Sequence, residues 1–263
     1  MKINKVKLFV NNDEKSLDVS KKLEKELMEY GFIIDNNDYN LAISIGGDGS
    51  FLKMVRENNF NNDIYYIGIN SGTLGFLQEI DINNTINFVK RLSLDDYKIE
   101  ELSYEEDRIY TDKQEYIYNS LNELVIRKND FSILKGKILI DDELLEEFSG
   151  DGLLISTSTG STAYNMSFHG PIVYNSLDTL ILTPIAPLNN KVYSSLTNPL
   201  IVPNNKVITI IPDSRSLFFM IDGKIKEIDN VNKIEINISN KKIKCLRMND
   251  FHFVRVIRNK IIK

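Results

Sequence analysis

The chain has 263 residues, of which 42% are apolar and 26% are charged, a composition typical of a globular protein with one large domain or two smaller ones. Its net charge of −5 argues against nucleic acid as a partner, because a nucleic-acid-binding protein needs a basic face. A single cysteine excludes an intramolecular disulfide and a cysteine zinc cluster, which indicates a reducing, cytoplasmic location. We find no signal-peptide core and no apolar stretch of membrane-spanning length, so we expect no membrane partner.

The first third of the chain alternates between strand and helix patterns. The apolar periodicity predicts, in chain order, a strand at 5–10, a helix at 16–30, a strand at 41–45, a helix capped by Ser50, a strand at 64–69 and a helix at 81–92. Strands that alternate with helices form a parallel sheet covered by those helices. We therefore predict an N-terminal α/β lobe.

From residue 97 onward the pattern changes to β-rich alternation, and all six prolines, between Pro171 and Pro212, disfavour long helices in that stretch. Predicted strands lie at 115–126, 136–140 and 206–211. The fold class is thus α/β plus all-β, with a C-terminal lobe of mostly antiparallel, sandwich-like sheets. Because nothing in their spacing requires a metal ion, we interpret three acidic clusters as solvated turns, at 95–96, 105–107 and 141–143.

A glycine-rich turn that follows the strand at 41–45 carries the first functional signal. It reads Gly46, Gly47, Asp48, Gly49, Ser50. Glycines let backbone N–H groups converge on phosphate oxygens. A carboxylate among such amides repels phosphate, so we expect Asp48 to handle a hydroxyl proton or a metal ion. The turn therefore favours phosphate chemistry, and the alternative is an ordinary structural turn.

A second glycine-rich segment, Gly-Ile-Asn-Ser-Gly-Thr-Leu-Gly-Phe-Leu at 68–77, follows the next strand. Because the carboxyl ends of parallel strands meet at one edge of the sheet, we predict that both glycine turns form one site. The alternative is that the glycines only permit a tight connection. We interpret Leu74, Phe76 and Leu77 as core residues rather than ligand contacts.

Two further segments lie in the β-rich part. Asn122 and Glu123 interrupt an apolar strand, and an amide beside an ionised carboxylate suits the hydroxyls of a ribose, although an exposed strand end is an equal alternative. The segment 150–167 leads from a strand into a loop rich in glycine and hydroxyl groups, with a helix predicted to begin near Ser161 or Thr162. A serine hydrolase is disfavoured, because this loop lacks the Gly-x-Ser-x-Gly elbow.

Taken in this order, the motifs resemble those of the NAD kinases. The resemblance rests on the turn at 46–50, the run at 68–76, the pair Asn122-Glu123, and Asp151-Gly152 followed by Thr-Gly-Ser-Thr-Ala-Tyr at 159–164. It covers nearly the whole chain. The first motif is shared with diacylglycerol, sphingosine and 6-phosphofructokinases, whereas the ordered set is highly specific.

The resemblance implies transfer of the γ-phosphoryl group of ATP, or of polyphosphate, to the 2′-hydroxyl of the adenosine ribose of NAD, giving NADP, with Mg²⁺ accompanying ATP. Asp48 matches the family's proton acceptor, and an aspartate of ordinary pKa, about 3.9, is ionised at neutral pH. The family also implies an α/β domain at 1–96 to which 250–263 returns, a β-rich domain at 97–249, and a homodimer or homotetramer.

Binding roles follow from the resemblance residue by residue. The matched cofactor-binding positions are Gly46, Gly47, Gly49, Lys53, Asn122, Glu123, Asp151, Thr162, Ala163, Tyr164, Asn165, Met166, Ser167, Ala186 and Lys224. Lys53 matches a basic dinucleotide contact, Asp151 a residue near the nicotinamide, and 162–167 the segment around the adenylate and ribose. Ser149 stands where the family often has arginine or lysine, and a simple β-turn explains Asp222-Gly223 as well as a binding motif does.

Two other functions are alternatives. A diacylglycerol-type lipid kinase shares the first motif but needs an apolar entrance, and the loop at 156–162 is polar. A non-catalytic NAD(P)-binding sensor would keep the pocket and lose turnover, and the presence of Asp48 argues against it.

Overall fold

The computed structural model describes residues 3–72, 75–130, 132–190 and 194–262. The chain forms two compact units, the first comprising Met1–Glu101 with Lys242–Lys263 and the second Leu102–Lys241. Each unit has its own core of buried apolar side chains. Within the described residues no helix is long and apolar enough to cross a membrane.

The first unit alternates strands and helices around a parallel sheet. Its elements are β1 (Lys5–Val10), α1 (Glu14–Glu29), β2 (Ile33–Ile34), β3 (Leu41–Gly46), α2 (Asp48–Glu57), β4 (Tyr65–Asn70), β5 (Ile80–Asp81), a 3₁₀ turn (Ile82–Asn84) and α3 (Thr85–Ser93). The strands pair in parallel in the order β2-β1-β3-β4-β5. The predicted α/β lobe is confirmed.

The second unit is built from antiparallel strands. The remaining elements of the chain are β6 (Tyr97–Thr111), β7 (Glu115–Ser120), β8 (Glu123–Lys128), β9 (Leu134–Ile140), β10 (Glu143–Gly150), β11 (Gly152–Thr157), a 3₁₀ turn (Thr159–Thr162), α4 (Tyr164–Ser167), β12 (Thr179–Ile185), β13 (Leu200–Pro203), β14 (Ile208–Pro212), β15 (Leu217–Ile221), β16 (Lys224–Ile228), β17 (Val231–Met248) and α5 (Phe253–Ile261). β6 leads from the first unit into the second, and β17 leads back to the first, which contains α5.

Two sheets of the second unit share one apolar core. One sheet has the order β13-β12-β11-β8-β15-β16, and the other includes β10-β9-β14-β17. Ile126 and Phe219 of the first sheet pack in the same cluster as Ile138 and Ile234 of the second. The predicted sandwich-like, β-rich lobe is therefore confirmed.

Two helices of the first unit begin earlier than predicted. α1 begins at Glu14 because the Asp13 carboxylate accepts the N–H of Ser16 at 2.9 Å and caps the helix. α2 begins at Asp48, with Gly47 at the N-cap and no side-chain cap. The prediction that Ser50 caps this helix is wrong, since Ser50 lies inside it.

Three other predicted elements differ from the structure. The helix predicted at 81–92 begins at Thr85, because the Asp81 carboxylate accepts the N–H of Asn83 at 2.8 Å and holds the preceding residues in a 3₁₀ turn. The strand predicted at 115–126 is two strands, β7 and β8, separated at residues 121–122. The helix expected near Ser161 consists of a 3₁₀ turn and the single turn α4.

The interpretation of residues 105–107 as a solvated turn is wrong. They lie within β6, and Glu105 and Asp107 are fully buried. The strand alternation places both carboxyl groups on one face, where the Ser120 Oγ lies 2.9 Å from Glu105 and 3.0 Å from Asp107. Burial, followed by neighbouring carboxylates, raises the pKa of both groups. The other two acidic clusters lie in turns at the surface.

Candidate active site

Asp48 is the first residue of α2, and its carboxylate points to the segment that follows β4. Its Oδ2 accepts the N–H of Phe76 at 2.7 Å, and its Oδ1 accepts the N–H of Leu77 at 3.0 Å. A Cβ added to Gly75 would lie 1.7 Å from Asp48 Oδ1. Glycine is therefore required at position 75 because a side chain there would collide with the Asp48 carboxylate. Its role is not only to permit a tight connection.

The two glycine turns lie at the same edge of the sheet, as predicted. Gly46 at the end of β3 pairs with Asn70 at the end of β4, and the Ser71 N–H donates to the Gly46 carbonyl at 3.2 Å. The Gln78 side-chain amide donates to the Gly47 carbonyl at 2.6 Å and joins the two turns. Leu77 is buried in agreement with its prediction as a core residue, and Leu74 lies outside the described residues.

Open space above α2 makes its first turn suitable for an anion. A Cβ on Gly47 or Gly49 would meet no protein atom within 4 Å. The first N–H groups of a helix have no partner within it and favour phosphate. Lys53 lies one turn further along α2, mostly exposed, with its ammonium 3.7 Å from Glu57. This part of the first unit can hold phosphate oxygens next to a carboxylate.

In the second unit, Asn122 and Glu123 are held through their backbone by Asp222. The Asp222 carboxylate accepts the N–H groups of Leu121 at 2.9 Å, Asn122 at 2.7 Å and Glu123 at 3.4 Å. These bonds explain why the chain breaks its strand pattern at residues 121–122. Asp222 and Gly223 both have positive φ and form the two-residue turn between β15 and β16. The β-turn interpretation is therefore confirmed, and the turn also carries a carboxylate that fixes the Asn122-Glu123 segment.

The hydroxyl-rich loop packs directly on this segment. The Thr157 N–H donates to the Asn122 carbonyl at 3.0 Å, and its hydroxyl donates to the Leu121 carbonyl at 2.6 Å. A Cβ on Gly160 would lie 2.0 Å from the Asn122 carbonyl oxygen, so only glycine permits this approach. The Tyr164 N–H donates to Glu123 Oε2 at 3.4 Å. The structure thus brings 122–123 and 157–164 together.

The residues of the predicted binding segment 162–167 differ in exposure. Tyr164, Met166 and Ser167 are exposed, and the Tyr164 ring packs edge-on against Phe168. Asn165 is fully buried, and its amide accepts from the Thr183 hydroxyl at 2.6 Å and donates to the carbonyls of Ser161 and Pro171 at 3.3 Å. Its side chain holds the loop, and Thr162 and Ala163 form the turn before it.

Glu123 carries a strongly shifted carboxyl group. It is 5% exposed, and burial, followed by the charge of Asp222, raises its pKa to about 8. The sequence predicts Glu123 as an ionised acceptor. In the folded chain at neutral pH it is mostly protonated and can donate one hydrogen bond as well as accept.

Three other predicted residues lie elsewhere in the second unit. Asp151 and Ala186 flank the paired ends of β11 and β12, where the Asp151 N–H donates to the Ile185 carbonyl at 2.9 Å. Ala186 has φ of +44°, a left-handed conformation that an alanine rarely adopts outside functional or strained sites. Lys224 is exposed at the start of β16.

Sequence reasoning missed the roles of three residues around these segments. Gly75 accommodates the Asp48 carboxylate, Gln78 joins the two glycine turns, and Asp222 holds 121–123. The Asp-Gly pair signals a hairpin turn, but no local pattern shows which amides its carboxylate accepts. No signal in the sequence singles out Gln78.

Comparisons with protein-family models match both parts of the chain. Residues 6–97 match the ATP-NAD kinase N-terminal domain, and residues 121–248 match the ATP-NAD kinase C-terminal domain. Among curated proteins, the chain is 37% identical to NAD kinase of Finegoldia magna over 95% of the chain and 96% of the relative. It is 33% identical to NAD kinase 2 of Bacillus subtilis, over 94% of each.

Solved structures show the same fold at lower sequence identity. Yeast NADH kinase complexed with NADH matches with a TM-score of 0.86 and 19% identity, over 97% of this chain and 86% of that one. An NAD kinase from Archaeoglobus fulgidus in complex with ATP matches with a TM-score of 0.77 and 20% identity, over 98% of each chain.

Proposed function

The chain belongs to the NAD kinase family and phosphorylates NAD, and from that premise we propose how its residues divide the work. The γ-phosphoryl group of ATP passes to the 2′-hydroxyl of the adenosine ribose of NAD, with Asp48 as the proton acceptor. The single observation that carries this proposal is the placement of the Asp48 carboxylate, held by two backbone amides beside an open, glycine-lined helix N-terminus.

Asp48 is suited to take a proton from a hydroxyl. Each carboxylate oxygen accepts one backbone N–H, which fixes the position of the carboxylate. A carboxylate has about four lone-pair sites, so lone pairs remain for a ligand hydroxyl. A positioned base of this kind contributes roughly 10²- to 10⁴-fold to a rate.

The donor phosphates are assigned to the first turn of α2. The N–H groups of 47–49 and the Lys53 ammonium supply positive charge where a transferring phosphoryl group carries negative charge. Lys53 is thus assigned to the donor instead of the dinucleotide contact that the family resemblance implies. Mg²⁺ is assigned to the donor as its complex with ATP, where it neutralises phosphate charge. Within the described residues no three His, Cys, Asp or Glu side chains are grouped to hold a metal ion.

The dinucleotide is assigned to the second unit. Asn122 and Glu123 offer an amide and a protonated carboxyl group to ribose hydroxyls, and the exposed Tyr164 ring offers a surface for an aromatic base. The remaining contacts come from the segment 162–167, Asp151, Ala186 and Lys224, as in the family pattern. We infer in addition that the protein is cytoplasmic and forms a homodimer or homotetramer. Light scattering of the purified protein would measure the oligomeric state.

The test is NADP formation by purified protein with MgATP and NAD, measured with an NADP-specific dehydrogenase. The wild-type chain should form NADP, and Asp48→Asn should lower kcat by roughly 10²- to 10⁴-fold. NAD affinity, measured by calorimetry, should stay within about twofold, because the substitution keeps the shape of the side chain. Asp18→Asn, at an exposed position of α1, is the matched control and should leave kcat unchanged.

Three outcomes would contradict the proposal. An unchanged kcat in Asp48→Asn would remove Asp48 from its role as base. Tight NADP binding without turnover from ATP or polyphosphate would favour the sensor, and faster phosphorylation of dispersed diacylglycerol than of NAD would favour the lipid kinase.

A further inference from the structure

A groove lies on the first unit between β1 and α2. It encloses about 280 Å³ and is lined by residues 7–11 and by one face of α2. Its rim touches the glycine-rich loop, since a Cβ on Gly46 would lie 2.2 Å from Ser50 Oγ and 3.1 Å from Asn11 Cβ. We propose that this groove binds the purine base of the nucleoside triphosphate donor, an inference that rests on the proposed function.

The groove lies beside β1, and this position favours binding of the phosphoryl donor rather than of the acceptor. β3, which carries the glycine-rich loop, has β4 on one side and β1 on the other. The Asp48 carboxylate turns toward the β4 side, where Phe76 and Leu77 hold it. In phosphoryl transfer the attacking and leaving oxygens lie roughly in line on opposite sides of phosphorus. With the acceptor hydroxyl at Asp48, the leaving group therefore extends toward the β1 side, where the groove lies.

The side chains in and beside the groove suit a heteroaromatic base. The half-buried Phe9 ring lies 6.3 Å from the Tyr39 ring at an interplanar angle of 69°, and the Lys7 ammonium lies 4.8 Å and 5.1 Å from the two ring centroids. Within the described residues this ammonium forms no ion pair. A base that packs on Phe9 would receive a hydrogen bond from Lys7 at one of its ring nitrogens, which are acceptors.

The groove also has the charge that a nucleotide requires. Lys7 and Lys53 line it together with one carboxylate, Glu57, which lies 3.7 Å from the Lys53 ammonium in an exposed pair. Lys53 and Ser50 lie on α2, between Phe9 and the glycine-rich turn. A phosphate chain that joins a base on Phe9 to this turn would therefore pass them. The charge of Lys53 thereby serves the donor.

The experiment compares donors that have a base with donors that lack one. Phe9→Leu keeps an apolar side chain but removes the ring, so KM for ATP should rise roughly tenfold, the effect of losing one base–aromatic stack. KM for NAD should not change. If inorganic polyphosphate is a donor, its KM should be the same in Phe9→Leu and wild type. If it is only a competitive inhibitor, its inhibition constant should be the same in both. Lys7→Gln should likewise raise KM for ATP and leave KM for NAD unchanged.

Matched controls and contrary outcomes keep this test separate from that of the proposed function. Tyr30→Ala and Lys21→Gln change an exposed ring and an exposed ammonium of the first unit and should alter no constant. If KM for NAD rises instead of KM for ATP, the groove does not bind the base of the donor. The same conclusion follows if the constant for polyphosphate rises as much as KM for ATP. Should the wild-type chain form no NADP, calorimetry with a non-hydrolysable ATP analogue still decides, because equal binding by wild type and Phe9→Leu would overturn the proposal.

Discussion

Each of the two units has one carboxyl group among its proposed functional residues, and the surroundings of the two groups differ. In the first unit, Asp48 receives one backbone N–H on each oxygen. In the second, Glu123 is buried, receives one N–H at 3.4 Å and lies beside the Asp222 charge, so its pKa is raised to about 8. Burial and a neighbouring like charge disfavour the charged form of Glu123. The first unit thus holds the proposed proton acceptor, and the second holds a carboxyl group whose pKa lies above neutral.

The carboxyl groups of the second unit act on one another. Glu105 and Asp107 are raised in pKa by burial first, and the Asp222 charge contributes to both. Asp222 itself accepts three backbone N–H groups, which hold its carboxylate in place. Burial is the first cause of the raised pKa in Glu105, Asp107 and Glu123.

The largest effect is expected where the amide-bound carboxylate of the first unit is displaced. In Gly75→Ala the new Cβ would lie 1.7 Å from Asp48 Oδ1, so the carboxylate or the 75–77 segment must move. We expect kcat to fall roughly 10²- to 10⁴-fold, as for loss of the base itself. Gly72→Ala is the control in the same segment, because its Cβ would meet no atom within 4 Å. A wild-type kcat in Gly75→Ala would show that the observed geometry of Asp48 is not the catalytic one.

A smaller effect is expected from replacing Asp222, one of the interacting carboxyl groups of the second unit. Asp222→Asn keeps the shape but turns an amide N–H₂ toward backbone donors, which costs about 1–3 kcal/mol of unfolding free energy. KM for NAD should rise as the Asn122-Glu123 segment loosens, while KM for ATP should not. Asp229→Asn, at an exposed turn of the same unit, is the control. Urea denaturation and steady-state kinetics provide both readouts, and equal increases in both KM values would argue against a role confined to the NAD side.

Much of the fold and part of the site were predictable because their signals are local. Apolar periodicity along β1, β3 and β4 gave the parallel sheet, and the glycine turns after β3 and β4 had to meet at one edge. The position of Asp48 in such a turn was likewise visible in five consecutive residues.

The parts that were missed depend on contacts between distant residues. Asp222 binds the N–H of Leu121 across 101 positions of sequence, and Ser120 lies against Glu105 and Asp107 only because β6 and β7 pair. Acidic residues at 105–107 suggest an exposed turn, and their burial follows from the sandwich rather than from their own sequence. The same holds for Gly75, whose neighbour Asp48 lies 27 positions earlier in the chain.

The smallest expected effect tests whether the buried carboxyl groups of Glu105 and Asp107 keep their protons. The pKa of Asp107 is raised in the folded chain above the ordinary value of about 3.9 that it has when unfolded. Above that ordinary value the folded chain binds more protons than the unfolded one, so the unfolding free energy falls as pH rises through the raised pKa. Asp107→Asn has no proton to lose, and it should be more stable than wild type by about 1–2 kcal/mol at pH 8 but by much less at pH 5. Urea denaturation at the two pH values measures the difference, with Asp142→Asn in an exposed turn as control. If wild type and Asp107→Asn keep the same stability difference at both pH values, the buried pair is already ionised, and the contrast between the two units is lost.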